Sequence, residues 1–246
     1  EVSHIRNVVS PVMVNKAKSV FYHIDFSFDE LRLGGSAFAQ SLNKVGSDVP
    51  TCKNPEYFRD AFNAVQELVN KGLLLAGHDI SAGGLITCLL EMCFANTEGG
   101  MEINLDGFKH ADLIKILFAE NPGVVIQVAD KDKKEVKKIL EDAGVGYIKL
   151  GQPTEERHIL ATLDGATYQF GIDYLRDVWY ETSYLLDTKQ SMNGCARKRY
   201  ENYKLQPLEF AFNKDFTGKF AQYGISPDRR KPSGIKAAII REKGTN

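Results

Sequence analysis

A polar octet, Gly77-His78-Asp79-Ile80-Ser81-Ala82-Gly83-Gly84, stands between two strongly apolar stretches of the chain. The run Leu73-Leu74-Leu75-Ala76 before it predicts a buried strand, because it is short, apolar and followed by turn residues. The run Leu85-Ile86-Thr87-Cys88-Leu89-Leu90 after it predicts the start of a helix. The octet is therefore interpreted as a strand-to-helix turn, which places a helix directly after a sheet strand.

Turns of this kind can bind anions, because amides at a helix start carry partial positive charge and glycines let a phosphate approach the backbone. An aspartate at the strand end can hold a magnesium ion beside that phosphate. The pattern makes Asp79 a candidate metal ligand and Ser81 a candidate phosphate-binding residue. The alternative is an ordinary tight turn in which these side chains cap the helix. His78 is either a hydrogen-bonded structural group or a catalytic base.

The composition is that of a globular protein, with 43% hydrophobic and 26% charged residues among 246. A formal net charge of -1 predicts no attraction to nucleic acid or to a membrane surface. No apolar stretch approaches the ~20 residues of a membrane helix, and no leader sequence begins the chain. The four cysteines lack metal-site spacing, so we expect reduced thiols and a cytoplasmic location.

Apolar periodicity predicts an α+β fold with a mixed sheet covered by helices, because some strands alternate with helices and others form hairpins. The clearest helix is capped by Asn54, has Pro55 at its first position and ends at Gly72. Asp164-Gly165 predicts a hairpin turn. The other predicted strands are 20–26, 101–105, 124–128, 147–150, 159–163 and 167–170, and the other predicted helices follow Ser36 and cover 111–118 and 131–143.

Beyond the sheet, Asp173 is predicted to cap a long helix that packs on the domain. Its predicted inward stripe is Leu175, Val178, Trp179, Thr182, Leu185 and Leu186. From Ser191 to Gly234 the periodicity fades, so we interpret this segment as a partly irregular connector whose aromatic residues require a surface to pack on.

The octet and its helix are accompanied, in order, by four further segments: Leu33-Gly34-Gly35-Ser36-Ala37-Phe38-Ala39-Gln40, Gly123-Val124-Val125-Ile126-Gln127-Val128, Leu175-Arg176-Asp177-Val178-Trp179-Tyr180-Glu181-Thr182 and Ile239-Ile240-Arg241-Glu242-Lys243-Gly244-Thr245-Asn246. Together they resemble the second PurM-like carboxy-terminal domain of the phosphoribosylformylglycinamidine synthase family, in its large single-chain form. The resemblance covers nearly the whole chain. One departure is Ala82, where the family usually has a second aspartate.

The resemblance implies an ATP-dependent ligase that uses glutamine as its ammonia source and makes formylglycinamidine ribonucleotide from formylglycinamide ribonucleotide. It implies a PurM-like domain over residues 1–172, a long helix and connector over 173–234, and the first strand of a truncated glutaminase domain over 235–246. The isolated fragment is therefore expected to be inactive. Its partners would be the upstream ATP-binding half and the downstream glutaminase.

For the large form, the resemblance implies that the nucleotide pocket touched by this domain is an internal pseudo-repeat of the catalytic one and holds ADP and Mg²⁺ for structural reasons. The resemblance thus implies that Asp79 and Ser81 bind Mg²⁺ and ATP or ADP, and that further acidic ligands come from a preceding PurM-like amino-terminal domain. We assign no catalytic residue within this chain.

Two other turns are open to two interpretations. Gly34-Gly35-Ser36 is either a second anion site or a tight turn without a ligand, and the same holds for Glu120-Asn121-Pro122-Gly123. Two alternatives to the whole assignment are a structural scaffold without a ligand and a small-molecule kinase of the PurM-like superfamily. The kinase is disfavoured because such enzymes carry their ATP-binding domain ahead of this one, and because the last eight residues resemble a glutaminase entrance.

Overall fold

The computed structural model describes residues 7–15, 18–109, 112–205 and 211–225. Contacts divide the chain into two units, one formed by residues 9–210 and the other by residues 1–8 and 211–246. In the described part of the second unit, Phe220–Tyr223 forms a short 3-10 helix. The predicted glutaminase strand over 235–246 lies outside the described residues.

All described strands and α-helices belong to the unit formed by residues 9–210. The strands are β1 (Ser19–Asp25), β2 (Leu74–Asp79), β3 (Gly100–Asn104), β4 (Gly123–Ala129), β5 (Tyr147–Thr154), β6 (His158–Leu163) and β7 (Ala166–Gly171). The helices are α1 (Ala37–Ser41), α2 (Pro55–Asn70), α3 (Gly84–Phe94), α4 (Leu113–Phe118), α5 (Lys133–Asp142), α6 (Ile172–Gln190) and α7 (Cys195–Glu201).

The seven strands form one sheet in the order β2-β4-β1-β5-β3-β6-β7. Neighbouring strands are antiparallel except β3 and β6, which run parallel. The predicted α+β class with a mixed sheet is therefore confirmed. The predicted strand and helix positions agree with the structure to within a few residues at most ends, and β5 is the main exception because it continues four residues further, to Thr154.

Two apolar cores lie on opposite faces of the sheet. Side chains of a strand alternate between its faces, so Phe21 of β1 joins one core while Tyr22 joins the other. The first core contains α3, α4 and the start of α6, and the second contains α2 and α5. Cys88 and Cys93 are buried in the first core, and burial raises the pKa of both thiols. They therefore act as small apolar side chains.

The start of α2 follows the predicted capping pattern. The Asn54 side-chain oxygen accepts a hydrogen bond from the Tyr57 amide at 3.0 Å, and Pro55 occupies the first helical position. Ala61, Ala64 and Leu68 bury the inner face of the helix. The chain leaves the helix at Gly72, whose φ of +66° suits glycine. The local sequence thus determines both ends of this helix.

The prediction for the start of α6 is wrong. The residue that caps the helix is Gly171, and Asp173 lies in the first turn. The Asp173 carboxylate instead accepts hydrogen bonds from Arg157 Nε at 3.0 Å and from the Tyr203 hydroxyl at 3.1 Å. The tertiary partners therefore outweigh the local capping preference of this aspartate.

The predicted inward stripe of α6 is also largely wrong. Trp179, Leu185 and Leu186 are each more than half exposed, and only Ile172 and Arg176 are buried among the 19 residues of the helix. Helical periodicity identifies an apolar face but not what covers it. No helix among the described residues is long and apolar enough to cross a membrane.

The first part of the predicted connector is more regular than expected. Residues Cys195–Glu201 form α7 and Tyr203–Leu205 form a 3-10 helix. The guanidinium of Arg176, in α6, donates to the Tyr200 carbonyl at 3.1 Å and lies 3.6 Å from the centre of the Tyr203 ring. This tertiary contact holds α7 against α6, and a seven-residue helix is too short to show a periodic signal in sequence.

Candidate functional site

Three turns meet at one edge of the sheet because of the strand directions. β1 and β2 both run antiparallel to β4, so their last residues lie beside the first residues of β4. Asp25 pairs with Gly123, and Asp79 pairs with Val124. The octet, the loop after β1 and the turn before β4 therefore lie together, although the sequence analysis treats them as separate candidates.

The octet is the strand-to-helix turn that the sequence predicts. β2 ends at Asp79, and α3 begins at Gly84. The Ile80 amide donates to the Gly123 carbonyl at 2.8 Å, and the Gly84 amide donates to the Ser81 carbonyl at 3.1 Å. These two bonds fix the turn against β4 and close it at the start of α3.

The two predicted ligand residues are both accessible. The Asp79 side chain is 74% exposed, and Ser81 is exposed. Neither caps α3, because the capping residue is Gly83 and no hydrogen bond joins the Asp79 or Ser81 side chain to the helix start. Within the described residues, none of the hydrogen bonds is donated by the amides of Ser81 or Ala82. An exposed carboxylate beside two free amides suits a contributor to a magnesium–phosphate site, and the ligand roles stay predictions.

Gly83 and Gly84 have a packing role that the sequence analysis did not identify. A Cβ at Gly83 would lie 2.2 Å from Thr87 Oγ1, and a Cβ at Gly84 would lie 2.7 Å from the Leu117 carbonyl oxygen. Both residues also have φ values in the left-handed region, +89° and +72°. Gly84 therefore allows α3 to pack closely against α4, and Gly83 leaves room for the Thr87 side chain of α3, whether or not a ligand approaches them.

His78 lines the cleft between α3 and α6, and its Nδ1 also lies 3.6 Å from Oδ1 of the Asp79 carboxylate. Its Nδ1 lies 2.8 Å from the Asp79 backbone oxygen, and its Nε2 lies 3.4 Å from Glu91 Oε2. Glu91 also accepts a hydrogen bond from Trp179 Nε1 at 3.0 Å. This arrangement favours the interpretation of His78 as a hydrogen-bonded structural group.

Glu120 is the residue at this edge whose role sequence reasoning missed. Its Oε1 atom accepts hydrogen bonds from the Gly83 amide at 2.7 Å and from the Ala37 amide at 2.8 Å. One carboxylate oxygen thus joins the octet to the first residue of α1. The sequence marks Glu120 only as part of a turn, because residues this far apart along the chain give no local pattern.

Gly34-Gly35-Ser36 has the geometry of a tight turn without a ligand. The Ser36 hydroxyl accepts from the Ala39 amide at 3.1 Å and donates to the Leu33 carbonyl at 2.6 Å, so it caps α1. A Cβ at Gly34 would lie 2.5 Å from the Asp48 carbonyl oxygen. The glycine is therefore required for the close approach of two backbone segments.

The loop after β1 is fastened by an ionic cluster. The Asp29 side chain has no exposed area and contacts Lys53, Arg32 and the Thr51 hydroxyl. The hydrogen bond from Lys53 is the main reason that the pKa of Asp29 lies well below its usual range. Asn121, which is 5% exposed, donates to the Glu30 carbonyl at 3.0 Å. The loop is thus tied to the turn before β4.

The carboxylates at this edge do not form a complete metal site by themselves. Among the described residues, no group of three or more His, Cys, Asp or Glu side chains is placed to hold a metal ion. Asp79 could supply one oxygen ligand, and magnesium commonly takes one or two carboxylates with phosphate and water. Its remaining ligands would then have to come from the nucleotide, water or another part of a larger protein.

A family model and two relatives of known name agree on what this chain is similar to. The model of the family "AIR synthase related protein, C-terminal domain" matches residues 26–164. The chain is 33% identical over 229 residues to the probable chloroplastic/mitochondrial phosphoribosylformylglycinamidine synthase of Arabidopsis thaliana, covering 92% of this chain and 16% of the relative. It is 32% identical over 236 residues to the human phosphoribosylformylglycinamidine synthase, covering 91% and 17%. The chain thus spans about a sixth of the length of these relatives.

Solved structures give the same fold. The chain is similar to Thermotoga maritima PurL complexed with FGAR, with a TM-score of 0.56, 15% identity and coverage of 69% of this chain and 29% of PurL. It is also similar to T. maritima PurL complexed with ATP, with a TM-score of 0.53, 15% identity and coverage of 69% and 27%. The resemblance inferred from the sequence segments is confirmed. Since the family model covers more than half of its residues, this chain belongs to the AIR synthase related protein, C-terminal domain family.

Proposed function

We propose that this chain is part of a longer phosphoribosylformylglycinamidine synthase and forms one wall of its nucleotide–magnesium site. Asp79 would contribute an oxygen ligand to Mg²⁺, and Ser81 would bind a phosphate of ATP or ADP through its hydroxyl and amide. The observation that carries the proposal is the exposed Asp79 carboxylate beside the unbonded amides of Ser81 and Ala82. The synthase relatives and the ATP complex of the PurL neighbour support it.

The parent enzyme would convert formylglycinamide ribonucleotide, ATP and glutamine to formylglycinamidine ribonucleotide, ADP, phosphate and glutamate. Residues 1–172 would form the PurM-like domain, 173–234 the helix and connector, and 235–246 the first glutaminase strand. The bound ADP and Mg²⁺ would stabilise the fold by linkage rather than through turnover. No residue of this chain is assigned a catalytic role, and a cytoplasmic location is part of the proposal.

The test is an NMR titration of the 246-residue chain with MgADP, followed through the backbone amides. We expect weak binding, because the chain supplies only part of the ligand set, with shifts concentrated at Ser81, Ala82 and Gly84. Asp79→Asn and Ser81→Ala should each reduce these shifts. Glu155→Gln, which replaces an exposed acidic residue in the turn between β5 and β6, is the matched control and should leave the MgADP-induced shifts unchanged.

Two results would contradict the proposal. Shifts confined to another part of the molecule would remove the octet from the nucleotide site. Tight micromolar binding to the isolated chain would show that the site is complete without a neighbouring part.

A scaffold without a ligand is the second candidate, and one observation favours it. The amide of Gly83, at the start of α3, is already bonded to Glu120. If the domain is a scaffold without a ligand, MgADP should cause no shifts at the octet in the wild-type chain. The same should hold for any variant in which the bond between Glu120 and the Gly83 amide is weakened.

A further inference from the structure

We propose that Glu120 is an internal anion that competes with the ligand phosphate at the start of α3, and that its displacement releases α1 from the octet. The inference rests on the proposed nucleotide site and concerns how that site is regulated. It assigns Glu120 the part of an autoinhibitory contact within the fold.

The competition follows from the position of the carboxylate. Glu120 Oε1 lies 2.7 Å from the Gly83 nitrogen, and the free amide of Ala82 immediately precedes that residue. A phosphate bound by the amides of Ser81 and Ala82 would lie within a few ångströms of a second negative charge. At this distance like charges repel, and the half-buried positions of Gly83 and Glu120 reduce the screening of that repulsion by water.

The Glu120 side chain has no alternative partner of opposite charge. Of the ion pairs in the described part of the chain, none includes Glu120, and its recorded hydrogen bonds are the two from backbone amides. Its backbone is held differently, because the neighbouring Asn121 is buried and bonded to the loop after β1. The side chain can therefore leave the octet by changing rotamer while the turn before β4 stays in place.

Release of Glu120 would act first on α1. The Ala37 amide belongs to the first residue of this five-residue helix, and none of the residues Ala37–Ser41 is buried. Phe38 still stacks on Phe118, with ring centres 4.8 Å apart. The expected change is thus an opening of the first turn of α1 rather than detachment of the whole helix. Nucleotide binding at the octet would be coupled to the mobility of this turn.

The test combines MgADP titration with amide hydrogen exchange. Glu120→Gln keeps the shape of the side chain and removes its charge, so it should tighten MgADP binding at the octet by about tenfold. Glu120→Ala should also tighten binding, and Glu155→Gln should leave it unchanged. In the wild-type chain, saturating MgADP should accelerate hydrogen exchange at the Ala37 amide while the Gly83 amide stays protected.

The outcomes separate this inference from the proposed function. Wild-type shifts at the octet combined with unchanged or weaker binding in Glu120→Gln would overturn the role of Glu120 and leave the nucleotide site intact. An Ala37 amide that stays protected in the wild-type chain at saturating MgADP would also overturn the role of Glu120. This measurement needs no variant, so it decides the question even if the Glu120 variants fail to fold. Absence of octet shifts in the wild type and in both Glu120 variants would overturn the nucleotide site and this inference together.

Discussion

α3 and α6 are both helices on the same face of the sheet, yet they are held in different ways. Nine of the eleven residues of α3 are buried, whereas α6 buries only Ile172 and Arg176. α3 lies in the middle of the first core and packs its own start, Gly84, against the backbone of α4. α6 is anchored near its start and presents most of its apolar side chains to solvent.

The difference shows which parts of the molecule can hold a ligand in fixed geometry. The octet precedes a helix that the core fixes on nearly all sides, so the amides at the start of α3 have little freedom. α6 touches α3 at a few points, including the Phe94–Trp179 ring contact at 5.2 Å. A site built at the start of α3 is therefore preorganised, and the same rigidity is not available along α6.

The largest expected effect is that of truncating a core residue of α3. Leu89 is fully buried, and Leu89→Ala should lower the free energy of unfolding by about 3 to 5 kcal/mol. Leu186→Ala in α6 is the matched control; because Leu186 is 59% exposed, its effect should stay within about 0.5 kcal/mol. Urea denaturation measures both, and equal losses would refute the contrast between the two helices.

A smaller loss is expected where α3 begins. Gly84→Ala would place a Cβ 2.7 Å from the Leu117 carbonyl oxygen at a φ of +72°, so it should cost about 2 to 4 kcal/mol. Gly144→Ala has a similar φ of +67° with no atom within 4 Å of the added Cβ, and should cost about 1 kcal/mol. Thermal unfolding of both variants separates backbone strain from the α3–α4 contact. A Gly84 variant no less stable than the Gly144 variant would mean that the helices do not pack this tightly.

A buried histidine on the face of the sheet that α3 covers should make the stability of the protein sensitive to acid. The His23 ring lies at a tilted angle against Phe108 of this core, and burial lowers the pKa of His23 to about 4 despite the opposing effect of Asp25. The unfolded chain therefore binds a proton near pH 6.5 that the folded chain does not bind until about pH 4. This histidine contributes to stability above pH 6.5, and that contribution is lost as the pH falls towards 4, by at most about 3 kcal/mol.

His23→Gln tests this dependence. Its stability should fall less than that of the wild type between pH 7 and about pH 5 in urea titrations. His158→Gln is the control, because His158 lies at the start of β6 and is less buried. Parallel pH profiles for the wild type and His23→Gln would show that folding does not lower the pKa of His23.

The smallest effect is expected at the contact between the two helices. Trp179→Phe keeps most of the ring packing on Phe94 and removes the donor to Glu91, so it should cost about 1 kcal/mol. Val178→Ala, on the exposed face of α6, should cost less. Double-mutant cycles with Glu91→Ala, which removes the acceptor, would measure the coupling, and a coupling of zero would mean that α6 is held without this bond.

Local sequence signals predicted much of the fold. The Asn54 cap, the Pro55 start, the Asp164-Gly165 hairpin and the apolar strand runs each act within a few residues, so they are visible without a structure. The strand order could not be read in this way, because β1 finds its partners among residues 123–129 and 147–154. The start of α6 was also missed, since Asp173 bonds to Arg157 and Tyr203 rather than to its own helix.

In the candidate site, too, the residues suggested by local sequence differ from those that only the tertiary structure shows. Asp79 and Ser81 lie in one short segment, so the sequence suggested them from the apolar runs on either side. Glu120 contacts Gly83 and Ala37 only because antiparallel pairing brings three turns to one sheet edge. The close packing at Gly84 depends on α4 in the same manner. The sequence therefore located the turn, but the contact of Glu120 with the turn could be found only from the tertiary structure.

The place of β1 in the sheet has a consequence for how the chain acquires its structure. Among the described strands β1 is synthesised before its two neighbours, which follow about a hundred residues or more later. Val20, Phe21 and Ile24 must therefore wait for their first pairing partner until synthesis has passed Ala129, and for the second until it has passed Thr154. Such long-range pairing makes folding slow and late, and it gives a chaperone that shields apolar segments its longest opportunity at this strand.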